Sequence, residues 1–474
     1  MRSSLACLTL SALLSSLASL PAHAAAPPVT AAAVPIADFF ANAALSGAVL
    51  SPDGRHVAVL VSAKGGRVQL YTVDLPSMKV NGLTSFEDAD ISSIAWVNER
   101  RVVYSVMDRN IAQGDIQYGP GLYAINIDGS GYRQLASNTY SKKSASSTRE
   151  MLSWNTRLLS ASGNPGNDDI YVTEASFSTT GVPSERVLRV NTVTGISQVA
   201  ATLADAQGWL LDQQGEVRIA LVVKENKRSI FYRDNAQTPW RKLRESDVYQ
   251  AKGGDFSPAF FDAKGNFYVH APYKGTEAVY RYDLAKDAID GAPLANTPGY
   301  DFSGIPVQGA DKLLGMRFET DASGTIWFDK PLDAIQSRID ALLPATVNTI
   351  SVAKRPATPF VLVTASSDVQ PASVLIFNTE SGQLMPVGNS HPAIDPLKMS
   401  HKRLVRYQAR DGLSIPAYLT LPKGHSGKNL PMVVMVHGGP WVRGGHWNWN
   451  RETQFLASRG YAVLEPDYRG STGY

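Results

Sequence analysis

Between Ser46 and Asn389 the chain alternates apolar and polar residues with a period of two, and it does so in units that repeat. SPDGRHVAVLV (Ser51 to Val61) is a strand opened by an Asp-Gly turn, and VQLYTVDL (Val68 to Leu75) is the strand that follows it. The pair returns as WVNERRVVYSV with GLYAINIDGSG, LSWNTRLLSAS with DIYVTEAS, LLDQQGEVRIALVV with RSIFYRD, and FFDAKGNFYVHA with AVYRYDL. Two weaker copies, PVQGADKLLGMRF with TIWFD and AKRPATPFVLVTAS with SVLIFNT, complete the series. With one turn residue taken per unit (Asp53, Asn98, Asn155, Asp212, Asp262, Asp311, Pro356), the steps run from 45 residues (53 to 98) to 57 (98 to 155), the length of a four-stranded blade. The repeat predicts a β-propeller of about seven four-stranded blades, a ring that buries flat faces between neighbours and keeps only short edges. A large β-sandwich, or a pair of them, has the same turn spacing and is the alternative.

The last stretch, Pro431 to Tyr474, changes character. Met432 to Val436 and Tyr461 to Leu464 are apolar runs of strand length. Between them Asn450 can cap a helix with Phe455, Leu456 and Ala457 facing inward, and Gly460 can end it. This is a βαβ unit, so the two strands should run parallel in one buried sheet. Upstream, Leu404 to Tyr407 and Ala417 to Thr420 flank Asp411-Gly412 as an antiparallel hairpin. A hairpin followed by parallel strands is the beginning of an α/β-hydrolase domain. His437-Gly438-Gly439-Pro440 follows the first parallel strand, and Asp467 to Tyr474, with Arg469 and Gly470 inside it, follows the second. Both loops then open at the carboxyl edge, where α/β sheets bind ligands.

HGGP and the tyrosine-ended RGS-T-G-Y stretch, in this order after a hairpin and a propeller, resemble the prolyl oligopeptidase family of serine peptidases, in particular its acylaminoacyl-peptidase and dipeptidyl-peptidase-like branch. The resemblance spans Phe39 to Tyr474. It implies peptide substrates and a propeller that caps the active site and limits access to small or unfolded peptides; no cofactor is expected. A serine hydrolase of this fold needs a serine on a G-x-S-x-G elbow, then an acid and a histidine. No such elbow occurs in the 474 residues: Gly129-Ser130-Gly131 lacks the spacing, and Gly412-Leu413-Ser414-Ile415-Pro416 lacks the second glycine. In the resembling family all three triad residues come later in the chain, so none is assigned, and the 474-residue chain is expected to be a truncated form without turnover. His437 has the wrong chain position for the triad base and reads as a structural residue of its loop. Gly438 and Gly439 permit a backbone path that side chains would block, while Pro440 has no N–H to give. The second oxyanion donor should therefore come from elsewhere, and Tyr474 resembles the family tyrosine whose hydroxyl supplies it.

Other chemistries fit less well. His437, His446 and Asp467 lack metal-ligand spacing, and Gly438-Gly439 fails the dinucleotide pattern. Turn acids such as Asp53, Asp128 and Asp262 are turn formers rather than calcium ligands, and Glu174 and Glu185 are indistinguishable from ordinary loop carboxylates. With 45 basic and 42 acidic residues the net charge is +3, and 18% charged residues describe a globular chain, not a nucleic-acid binder. Arg100-Arg101 and Lys142-Lys143 read as solvated turns.

Met1 to Ala24 has a basic start at Arg2, an apolar core, and Ala22-His23-Ala24, which together read as a signal peptide for secretion or export to a periplasm. The single cysteine, Cys7, lies inside it and is read as part of the apolar core, so the mature chain would have no thiol. No later apolar run approaches the roughly 20 residues that span a bilayer. The expected division is signal 1–24, linker and short segment 25–45, propeller 46–400 and hydrolase part 401–474. In the short segment, Phe39-Phe40 should pack on a domain surface. The leading reading is a serine peptidase; the alternatives are an esterase on the same sheet and a non-catalytic propeller that binds peptides or envelope proteins and carries a degenerate hydrolase tail. Oligomeric state is not readable from the sequence.

Overall fold

The computed structural model describes residues 34–63, 66–111, 115, 119–139, 151–161, 163–177, 183–248, 255–439 and 441–474. The expected signal peptide and linker, Lys142-Lys143 and Pro440 lie outside them.

Seven antiparallel sheets follow one another along the chain, each made of consecutive strands: blades at 45–82, 90–136, 156–201, 206–247, 257–289, 305–327 and 347–389. Six have four strands; the sixth has three. The fourth strands lie outermost, since those of blades one and four are largely exposed (Lys79–Gly82, Arg241–Asp247). The first strands line the axis, and those of blades one and two, two and three, and four and five adjoin.

Apolar clusters fill every seam of the ring. Tyr104 and Leu70 meet between blades one and two, Ile170 and Val103 between two and three, and Trp209 and Val187 between three and four. Tyr232 and Phe267 fill the next seam, Phe302 and Met316 the one after. Trp327 and Phe377 pack between six and seven, and Val57 and Leu362 close the ring between seven and one. This is the β-propeller that the repeat predicts. One landmark was misplaced: Asn155 precedes the first strand of blade three (Thr156–Ala161), whereas the other six lie at the turn from first to second strand.

Blade six departs from its neighbours for a local reason. Where its fourth strand would run, Lys330–Leu342 forms a helix, α2. Asp329 caps it through Leu332 N–H, Pro331 suits the first turn, and Leu332, Ile335 and Ile339 recur at helical spacing. Ile339 is fully buried against Ile350 and Phe377 of blade seven.

The last sheet has the order Lys402–Gln408, Ser414–Thr420, Ala462–Pro466, Met432–Val434. The first two strands form the hairpin, and Met432–Val434 pairs in parallel with Ala462–Pro466. The βαβ crossover is the helix α3, Arg451–Ser458, capped by Asn450 through Thr453 N–H at 2.9 Å and followed by Gly460 at φ +92°. Its most buried residues are Thr453, Gln454 and Ala457 rather than the expected Phe455 and Leu456. Gln454 is polar and buried because it bridges the two parts of the molecule: its amide donates to Asp368 O of blade seven and to Ser400 O, and its carbonyl accepts from Ser400 N–H. The short helix α1 of the amino-terminal segment (Ile36–Phe40) lies on α3, with the rings of Phe39 and Phe40 5.8 and 5.5 Å from that of Phe455.

Candidate active site

The loops after the two parallel strands meet, and Asp467 holds them together. Its side chain has no exposure. Oδ1 accepts the backbone N–H groups of Gly444 at 2.8 Å and Gly445 at 3.0 Å, and Oδ2 accepts the Tyr474 hydroxyl at 2.7 Å. A buried carboxylate needs such donors, because an unpaired charge in this position would be costly. The two glycines are required by space. A Cβ on Gly444 would stand 2.0 Å from the His437 ring, and one on Gly445 would stand 2.8 Å from the Tyr418 ring.

His437 lies flat on Tyr468, with ring centroids 4.4 Å apart, and its carbonyl accepts the Tyr468 hydroxyl at 2.9 Å. Its Nδ1 is 2.7 Å from Gly438 O and its Nε2 is 2.9 Å from Ser471 Oγ. A carbonyl only accepts, so Nδ1 carries a proton, and in the neutral ring Nε2 accepts from the serine. Both nitrogens are used within the loops. The N–H groups of Gly438 and Gly439 donate to no group among the described residues, and both glycines are exposed. Arg469 is exposed and pairs with Asp411 of the hairpin turn, and Gly470 takes φ +97° in the turn beside it.

The site faces blade six. Gly473 N–H donates to Asp301 Oδ2 at 3.1 Å, and Tyr418 donates to Asp321 O at 2.6 Å. Arg443 donates to Thr320 O and lies 5.0 Å from the centroid of the Tyr474 ring. His446 Nδ1 is 2.6 Å from Glu319 Oε1. Burial, then the bond to Asp467, pushes the Tyr474 hydroxyl well above the usual phenol range. Burial alone would raise Glu319, but the His446 hydrogen bond and charge, with Arg443 beside them, hold it below the usual carboxylate range.

Sequence reasoning named Tyr474, the HGG residues, Arg469 and Gly470, and the structure brings Tyr474 and His437 to one cluster around Asp467. It missed Arg443, Gly444 and Gly445. The adjacent glycines in RGGH were the available signal, since paired glycines after an arginine mark a close backbone approach.

A seven-bladed propeller followed by the opening of a hydrolase sheet, with two loops joined at that sheet's carboxyl edge, defines a class of propeller-fronted hydrolases. No family profile matches the chain. It is 25% identical over 293 residues to dipeptidyl aminopeptidase BIII of Pseudoxanthomonas mexicana, which is 57% of this chain and 40% of that protein. It is 37% identical over 71 residues, 15% of this chain and 11% of the relative, to the uncharacterised peptidase YuxL of Bacillus subtilis (strain 168). Among solved structures, a puromycin hydrolase superposes with a TM-score of 0.62 at 16% identity, covering 94% of this chain and 69% of that one. A structure from a study of two prolyl endopeptidases gives 0.62 at 12% identity, covering 91% and 62%. In relatives and in fold the chain is similar to peptidases of the prolyl oligopeptidase kind. It spans 40% of the length of the dipeptidyl aminopeptidase.

Proposed function

We propose that these residues form the propeller and the oxyanion-side edge of an exported serine-type peptidase, which takes short peptides and cleaves them through an acyl-enzyme. One observation carries the reading. The HGG loop and the Asp467–Tyr474 loop are fastened together at the carboxyl edge of the sheet, under the rim of blade six, where a peptide passing the propeller would meet them. The names of the relatives support peptide substrates, and Ala22-His23-Ala24 supports export.

In such an enzyme the nucleophile's own N–H stabilises the oxyanion and a second donor completes the hole. Tyr474 is one candidate. Its single proton, however, is held by a buried carboxylate, and moving it to a substrate oxygen would leave that charge short of a donor. This favours a second reading, in which the exposed N–H groups of the HGG loop face the oxyanion and Tyr474 buttresses Asp467.

The test is expression of the full-length gene product with its own leader. Export should yield an amino terminus at Ala25, and the product should hydrolyse an aminoacyl or acyl-peptide anilide in a manner blocked by a serine-directed phosphonate. The 474-residue chain alone should not turn over, since it holds no elbow serine. Phosphonate-insensitive hydrolysis by the full-length protein, or a retained Met1, would refute the corresponding part.

A further inference from the structure

In a four-stranded up-and-down blade, the turns from first to second strand sit at one rim, and the turns from second to third strand sit at the other, with the blade-to-blade crossovers. The hydrolase sheet is docked on the second rim. Its partners there are Thr320 and Asp321 (second to third strand of blade six), Asp368 (the same turn of blade seven) and Asp301 in the crossover into blade six. The opposite rim is the far mouth of the axial tunnel.

One turn of that far rim does not stay with its own blade. Lys354 and Arg355 lie between the first and second strands of blade seven. Arg355 N–H donates to Pro52 O of blade one, and its guanidinium reaches Glu99 Oε1 of blade two at 2.8 Å, with Gly163 O and Asn164 of blade three. Lys354 lines a cavity of about 310 Å³ together with Ser160 and Tyr171 of blade three and Trp209 and Gln213 of blade four. In a ring of seven, blades three and four are the two farthest from blade seven. Side chains that start on blade seven and touch them have to cross the axis. Gly163 confirms the convergence: a Cβ there would stand 3.3 Å from Pro52 of blade one, with the whole of blade two between them in sequence. The crossing is well held, because Arg355 has a carboxylate and two further acceptors matched to its planar fork.

We infer that Arg355 plugs the far mouth of the propeller tunnel, and so determines that substrate reaches the site from the face between propeller and hydrolase sheet and not along the axis. The part about substrate rests on the peptidase reading; the closed mouth does not. A test of the mouth therefore needs no turnover. Ser160 lies at the far-rim end of the first, axis-lining strand of blade three, lines the cavity that Lys354 enters, and accepts a cysteine with little change of volume. In a Cys7→Ser background, Ser160→Cys should react slowly with a bulky maleimide. Adding Arg355→Gln, or separately Glu99→Gln, should raise the rate about tenfold, the factor that one charge-assisted hydrogen bond carries in an opening equilibrium. Glu99→Gln leaves every main-chain bond of the turn in place and decides the matter where Arg355→Gln fails to fold. Labelling rates within about twofold of the parent in a folded variant, checked by its melting transition, would overturn the plug.

Discussion

Asp467 shares its charge with no solvent, so every donor that reaches it matters. Tyr474 supplies one of three, and the two glycine N–H groups supply the others. Tyr474→Phe should lower stability by about 1–3 kcal/mol, read as an earlier urea midpoint with an unchanged slope. Under the buttress reading kcat should stay within several-fold of the parent. A fall in kcat of roughly 10²–10³ at unchanged substrate affinity would instead return the oxyanion role to Tyr474. The two readings are separable because stability and kcat respond to different states of the same proton.

At the scale of elements, α2 shows how a local signal can override a repeat. Its cap, Asp329, also accepts Lys312 Nζ at 2.6 Å, so one carboxylate ties the helix start to blade six's first turn. Asp329→Ala should cost about 1 kcal/mol from the cap alone, measurable by denaturant unfolding. Unchanged stability would mean that α2 is held by Ile339 and its apolar face without help from its end. This helix was legible in the sequence, for KPLDAIQSRIDAL carries a proline near its start and apolar residues at helical spacing. The seven-fold repeat predicts a strand there instead, and the local signal wins. The blades and the parallel pair were read correctly from period and turn chemistry, which are local. The Asp467 cluster was not, since it joins residues 437, 444, 445 and 474, and no period in the sequence says which loop glycines will face a carboxylate. Gln454 was invisible for a similar reason: only its partners, on a different part of the molecule, explain a buried polar side chain on a helix.

For the whole molecule, the docking of the hydrolase sheet on blade six includes an acid whose protonation is set by the contact itself. Glu319 is held below its ordinary range in the docked state. Its contribution is therefore full above the usual glutamate value and is lost as pH falls through the depressed one. Glu319→Gln should remove that acid-side loss, giving a flatter stability profile below about pH 4.5 than the parent shows. Parallel profiles for the two proteins would place the docking energy elsewhere, in Arg443 and Tyr418. The ring beneath has its own asymmetry. Every blade is built from one continuous stretch, so six of the seven seams are crossed by the chain itself and the seam between blades seven and one is not. Heat or tension then has one natural place to begin, where the circle can spring open into a curved ribbon with each blade still folded. Arg355, fixed from blade seven to one, two and three, is a stitch sewn across that gap.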